Sequence, residues 1–258
     1  MLVGLMNHPA RPIPDEIRSI AERGFDFVDL TLEPPHAWPA NADAIAAALA
    51  ETGLRAVGHT AYFLPIASPF PELKEQARTL FVEALDVFGA TGIELVNVHP
   101  DPMTRLFPWD EIVRRNAEAI GALAEDAAER GIQVMVENLG GTFARPQDLA
   151  PILEADTRLG FHLDVGHANL GLARGEPNRA AALVSAFADR LRHVHLSDNV
   201  GVDDLHLPLG VGTTVWSGIA QLLRSAGWDG TVTLEVFSAL PRYAEMSREL
   251  WLQWWADA

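Results

Sequence analysis

The sequence predicts a closed eight-stranded parallel (β/α)8 barrel, a single domain over residues 1–258. Three observations carry this expectation. The chain has 258 residues, close to the roughly 250 typical of one such barrel. Short apolar runs and helical patterns alternate from end to end, with no Pro/Ser-rich linker between them. Several runs, roughly 30 to 40 residues apart, carry an acid or a histidine near their C-terminal ends: Glu137, Asp164, His195 and Glu235.

In chain order, strands are expected at 2–6 (LVGLM), 25–32 (FDFVDLTL), 54–59 (LRAVGH), 93–99 (IELVNVH), 133–138 (QVMVEN), 159–165 (LGFHLDV), 191–197 (LRHVHLS) and 231–236 (TVTLEV). Each is followed by a helical pattern, eight in all. The clearest is PELKEQARTLFVEALDVFGATG. There Leu73, Ala77, Leu80, Phe81, Ala84, Leu85 and Phe88 form one apolar stripe, ended by Gly89 and Gly92. Another is WDEIVRRNAEAIGALAEDAAERG, which stops at Gly131. Gly24, Gly53 and Gly131 each stand just before a strand, where αβ loops commonly turn through a left-handed glycine. In the last helix, Trp251, Trp254 and Trp255 follow helical spacing and are read as packing on the outside of the barrel.

The balance of 48% hydrophobic and 21% charged residues is ordinary for a globular chain. No apolar stretch reaches the about 18 residues of a membrane span. MLVGLMNHP leads into a strand with neither a basic segment nor a cleavage site, so a cytoplasmic protein with no membrane attachment is expected. Cysteine is absent, which excludes disulfides and thiolate metal sites and leaves His, Asp and Glu as ligands. The net charge is −16, with 35 acidic residues against 19 basic. Because phosphate neutralisation supplies most of the affinity for nucleic acid, this balance argues against such a partner. A homo-oligomer is compatible with the chain.

A parallel barrel gathers the C-terminal ends of its strands at one mouth, so Glu137, Asp164, His195 and Glu235 should meet there. Crowded carboxylates repel one another and lose hydration, which calls for a cation. Oxygen donors with one imidazole suit Mn²⁺, Mg²⁺, Co²⁺ or Zn²⁺, and further histidines would favour zinc. His59, His99, His167, Asp204 and His206 also fall at or beyond strand ends. Each stands between a further metal site, a substrate contact and support of the ligands. Asp204 and His206 form a D-x-H pair, which an extended segment would point one way. His162 and His193 share parity with Asp164 and His195 but lie deeper, as core or supporting residues. His8 and His36 carry no further signal, although His8 ends the first strand. In LPLGVGTTVW, Gly210 and Gly212 form either a tight turn or an amide cradle for phosphate. Arg105, Arg145 and Arg174 lie in loops on the mouth side and are either anion contacts or surface residues.

VMVENLG, GFHLDVGHANL, HVHLSDN, DDLHLPLGVGTTVW and TLEVF resemble the xylose-isomerase-like TIM-barrel superfamily. That superfamily holds sugar and sugar-phosphate isomerases and epimerases together with endonuclease IV, and the resemblance runs from Gly53 to Phe237. It implies a divalent metal held by Glu137, Asp164, His195 and Glu235. It also implies that Glu137 and Glu235 move protons on opposite faces of a small sugar, polyol or sugar phosphate. An ion bridging a carbonyl oxygen and its neighbouring hydroxyl would acidify the intervening C–H and stabilise the enediolate. A dehydratase or lyase would use the same parts.

The endonuclease IV branch is resembled too, in HTAYFLPIASP with His59 and Tyr62, the latter a substrate-binding candidate. All nine ligand types of its trinuclear zinc cluster find a match, adding His59, His99, His167, Asp204 and His206 to the first set. One ion per chain is expected for an isomerase or epimerase, two or three for phosphoester hydrolysis. Departures exist on both sides. No arginine follows His195 in LSDNVGVDD, where ketose 3-epimerases usually carry one. Pro65, Asp101 and Leu205 replace the asparagine, glycine and arginine of endonuclease IV. With the acidic surface, these rank cleavage of abasic DNA second to sugar isomerisation or epimerisation.

Overall fold

Eight strands form, each bounded within two residues of its expected ends: β1 (Leu2–Met6), β2 (Phe27–Leu32), β3 (Arg55–Thr60), β4 (Leu95–Val98), β5 (Gln133–Glu137), β6 (Gly160–Asp164), β7 (Leu191–Leu196) and β8 (Thr231–Leu234). The structure is a computed structural model and describes residues 1–103, 106–172 and 176–258. Every strand pairs in parallel with the next, and β1 closes the barrel on β8 with Val3 opposite Val232. The helices among the described residues are α1 (Ile13–Glu22), α2 (Ala42–Thr52), α3 (Pro71–Ala90), α4 (Trp109–Ala128), α5 (Pro146–Ala155), α6 (Val165–Ala168), α7 (Ala180–Phe187), α8 (Trp216–Ser225) and α9 (Arg242–Asp257). The single turn α6 is additional to the eight expected. It forms because the Asp164 carboxylate accepts the His167 amide at 2.5 Å and starts a helix where no apolar period exists.

Strand pleat sorts the side chains into two sets. Val28, Leu30, Val134, Val136, Leu163 and Val194 face the helices and join one continuous core. Phe27, Val57 and Met135 form a separate apolar plug inside the barrel. Gly4 is required beside it, because the Phe27 ring occupies the place a Cβ would take. One pleat repeat further along each strand, the inward positions become polar: Asp29 follows Phe27, His59 follows Val57 and Glu137 follows Met135. The plug therefore closes one end, and the chemistry is confined to the other.

On α3, Ala77, Phe81, Ala84, Leu85 and Phe88 are buried as expected, but Leu73 and Leu80 are exposed. At about 100° per residue these two lie on the edge of the stripe, beyond the arc that meets the barrel. Burying a side chain such as Phe81 contributes about 1.5–3 kcal/mol, so the inner arc suffices to dock the helix. Gly24, Gly53 and Gly131 have φ of +74°, +70° and +70°, the left-handed turns expected. Trp251 is fully buried and meets Trp216 of α8 edge-on at 6.3 Å, while Trp254 stacks on Trp216 at 6.4 Å, so these tryptophans do pack. No helix among the described residues is long and apolar enough to cross a membrane.

Candidate functional site

Glu137 closes β5 and is almost wholly buried. The Asn97 amide donates to its Oε2, with His99 Nε2 and His162 Nδ1 each 3.2 Å from the same oxygen. His167 Nδ1 lies 3.0 Å from Oε1. Burial opposes the Glu137 charge, but the surrounding imidazoles outweigh it and hold the carboxyl well below the usual range. Asp164 closes β6. Its Oδ1 caps α6, and its Oδ2 is buried with no hydrogen-bond partner among the described residues. Burial, with the charges of Glu137 and Glu235, pushes this carboxyl up to about 7, although His167 pulls the other way.

His195, on β7, has two differently engaged ring nitrogens. Nε2 is 2.7 Å from Asp29 Oδ2, while Nδ1 lies 3.2 Å from Glu235 Oε2 and 3.8 Å from Asp164 Oδ2. Glu235 is the residue after β8, and its amide bonds the Leu196 carbonyl at 3.1 Å. Ligand atoms of Asp164, His195 and Glu235 lie within 4.8 Å of one another, as do those of His59, Glu137 and His195 and those of Glu137, Asp164 and His167. The donor set fits a divalent cation on two grounds. Asp164 Oδ2 is an orphaned buried oxygen at the centre of the cluster. The carboxylates with one imidazole nitrogen free of Asp29 form the hard, oxygen-rich set such ions prefer.

The further candidates converge on the same place. His59 stacks against His195 at 5.7 Å and meets His99 at 5.1 Å. His167 Nε2 and His206 Nε2 lie 3.0 and 3.2 Å from Asp204 Oδ2, and His206 Nδ1 is 3.6 Å from Glu235 Oε2. The D-x-H pair does not converge through an extended segment, since His206 has φ of +44°. A left-handed residue turns its ring back over Asp204 instead. Burial opposes charging of His206, but Glu235 and Asp204 raise it to about 9. Tyr62 is exposed at the rim, 6.4 Å from the His99 ring. His162 and His193 are fully buried beneath the cluster.

His59, Tyr62, His99, His167, Asp204, His206 and Glu235 line a cavity of about 530 Å³ at the mouth. A cavity of about 540 Å³ at the opposite end, beside Phe27, Arg55 and Glu94, contains none of the clustered ligand sets. His8, which carried no signal in the sequence, lines the mouth. The Gly210 and Gly212 amides do not face a ligand. They donate to Asp198 Oδ2 at 2.9 and 3.0 Å, so the chain's own carboxylate fills the cradle. Arg145 precedes α5 and lies 4.0 Å from Glu176, away from the cavity lining. Arg105 and Arg174 lie outside the described residues.

Two acids escape the sequence reading. Asp29, in the middle of β2, lies 2.7 Å from His195 and 3.2 Å from His193 and is buried. The criterion that selects Glu137, an acid inside an apolar run, applies equally to it. Glu33, just past β2, lines the mouth, and burial pushes its carboxyl up to about 6. It stands at the end of the apolar run DLTL, as Glu235 does in TVTLE, but a Pro-Pro pair follows it.

The sequence profile of the xylose isomerase-like TIM barrel family matches residues 17–254, and the chain belongs to that family. An uncharacterized protein of Methanocaldococcus jannaschii, MJ1311, is 30% identical over 187 residues, covering 66% of this chain and 63% of that protein. A probable endonuclease 4 of Chlorobium luteolum is 29% identical over 119 residues, 42% of this chain and 41% of the relative. The chain thus spans less than two thirds of either relative. Among solved structures, a D-tagatose 3-epimerase-like protein superposes with a TM-score of 0.88 at 24% identity, over 100% of this chain and 98% of the other.

Proposed function

We propose that the chain is a divalent-metal-dependent isomerase or epimerase of a small neutral sugar or polyol. The observation that carries this reading is the convergence of Glu137, Asp164 and Glu235 on His195, with Glu137 and Glu235 on strands three apart around the barrel. Glu137, Asp164, His195 and Glu235 are the proposed metal ligands. When bound, the ion supplies Lewis acidity that polarises a substrate carbonyl. Glu137 and Glu235 are held in the ionised form, the state a base requires, by the imidazoles near them, although burial opposes it. A sugar between them presents one face to each. One carboxylate removes the proton next to the carbonyl, and the other returns one to the opposite face. The likeness to a D-tagatose 3-epimerase-like protein supports the substrate class. Neutrality is supported by the cavity lining, which includes no lysine or arginine among the described residues.

A second reading, an endonuclease IV-like phosphodiesterase, is favoured by the gathering of His59, His99, His167, Asp204 and His206 around the first four residues and by the C. luteolum relative. One experiment separates the two. Metal-loaded enzyme incubated with ketoses in D₂O is expected to place deuterium on the carbon beside the carbonyl. Glu137→Gln should lose exchange and turnover together, by at least about 100-fold. Cleavage of abasic DNA with no exchange into any ketose would reverse the ranking.

A further inference from the structure

We propose that Glu33 is a specificity-determining residue: its carboxylate accepts hydrogen bonds from the hydroxyls at the end of the sugar remote from the exchanging carbon, and it excludes a phosphate ester from that end. The proposal rests on the sugar isomerase or epimerase reading above and deepens it.

Glu33 lines the mouth cavity on the β1, β2 and β8 side, with His8 and Phe237 as neighbouring wall residues. His8 and Phe237 meet edge-on at 5.6 Å, and His206 meets Phe237 at 5.0 Å, which gives this side an aromatic floor beside the ligand cluster. Glu33 belongs to none of the ligand sets that converge within 4.8 Å. Its Oε2 is nonetheless buried, with no hydrogen-bond partner among the described residues. An unpaired carboxylate oxygen shielded from water is costly, and a ligand that brings donors removes the cost. Sugar hydroxyls are such donors; a phosphate dianion brings only acceptors and negative charge.

The surroundings make a phosphate less welcome still. Glu33, Asp204 and Glu235 all line the cavity, and no lysine or arginine among the described residues does. The pair of loop amides at Gly210 and Gly212 is taken by Asp198. Burial raises the Glu33 carboxyl most, His99 opposes that rise, and the nearby Glu235 charge adds to it. A second anion here would face like charges, and the imidazoles of His167 and His206 are already paired with Asp204 and Glu235.

The test compares Mn²⁺-loaded wild type with Glu33→Gln, using solvent exchange into D-fructose, D-tagatose and their 6-phosphates. Gln keeps the shape and removes the charge. The variant should raise KM for the neutral ketose by about 10-fold or more while changing kcat by less than about 3-fold. The preference in kcat/KM for neutral over phosphorylated ketose should fall by about 10-fold or more. Mn²⁺ affinity should be unchanged. An unaltered preference, a loss confined to kcat, or a loss of metal affinity would each overturn the proposal while leaving the function intact. Exchange by the wild type into none of these sugars would defeat the functional reading and this inference with it.

Discussion

Asp29 holds His195 from behind. Its Oδ2 lies 2.7 Å from Nε2, and the same oxygen reaches His193, whose other nitrogen lies 2.7 Å from the Thr231 hydroxyl. Fixing Nε2 in this way leaves Nδ1 as the lone pair turned toward Asp164 and Glu235. Partners of this kind typically account for 10–100-fold in metal affinity. Asp29→Asn should therefore weaken Mn²⁺ binding by roughly that factor, and Asp29→Glu should restore part of it. Chelator competition measures this directly; unchanged affinity in Asp29→Asn would mean the contact only fills the barrel. The mouth acids were legible where local sequence marks them, as VMVEN and TLEVF mark Glu137 and Glu235. Asp29 passes the same local test, but its partner His195 lies 166 residues away and becomes a neighbour only when the barrel closes. Glu33 ends the run DLTLE much as Glu235 ends TVTLE, but the Pro-Pro pair after it reads as a loop.

The loop after β7 shows how an element positions chemistry it does not itself perform. Asp198 accepts the amides of Asn199 and Thr214 on Oδ1, and those of Gly210 and Gly212 with the Trp216 indole on Oδ2. Its backbone bridges Leu207 in both directions, which pins the segment carrying Asp204 and His206. Gly212 must lack a Cβ, since one would collide with Asp198 and the Asn199 carbonyl. Asp198→Ala would orphan several buried donors at about 1–3 kcal/mol each. With about 2–4 °C of Tm per kcal/mol, a fall of about 10 °C is expected, together with loss of any contribution from His206. A thermal melt within about 2 °C of wild type would refute the pinning role. Strand positions were readable because a buried parallel strand is a dense apolar run. The amide cradle was not, because a G-x-G spacing is silent about which carboxylate fills it. Likewise α6 has no period to read and starts on a side-chain cap.

Across the whole molecule, protons and metal compete for one acidic site in a chain of net charge −16. In the metal-free protein burial, then the charges of Glu137 and Glu235, raise Asp164 to about 7. Its contribution to stability is present below the ordinary carboxylate range and is lost as pH rises through about 7. His206, raised to about 9 by Glu235 and Asp204 against the opposing effect of burial, contributes fully below about 6.5 and loses that contribution as pH climbs through 9. His195, raised by Asp29 and Glu235 against burial, has the same sign. Glu137 and Asp29 are depressed despite burial, so their contribution is present above about 4 and lost only on acidification. From about pH 6.5 to 9, then, the metal-free protein should grow less stable as the carboxylates lose their protonated partners. A divalent cation supplies the same countercharge without titrating, and each carboxylate proton lost strengthens its hold. The Tm gap between Mn²⁺-loaded and EDTA-treated protein should accordingly widen across that range. At about 1,000 times the Kd, mass action alone supplies about 4 kcal/mol, on the order of 10 °C in a chain of this size. Differential scanning fluorimetry at stepped pH reads the gap directly. A gap that stays constant or narrows as pH rises would mean that these carboxylates do not hold the ion.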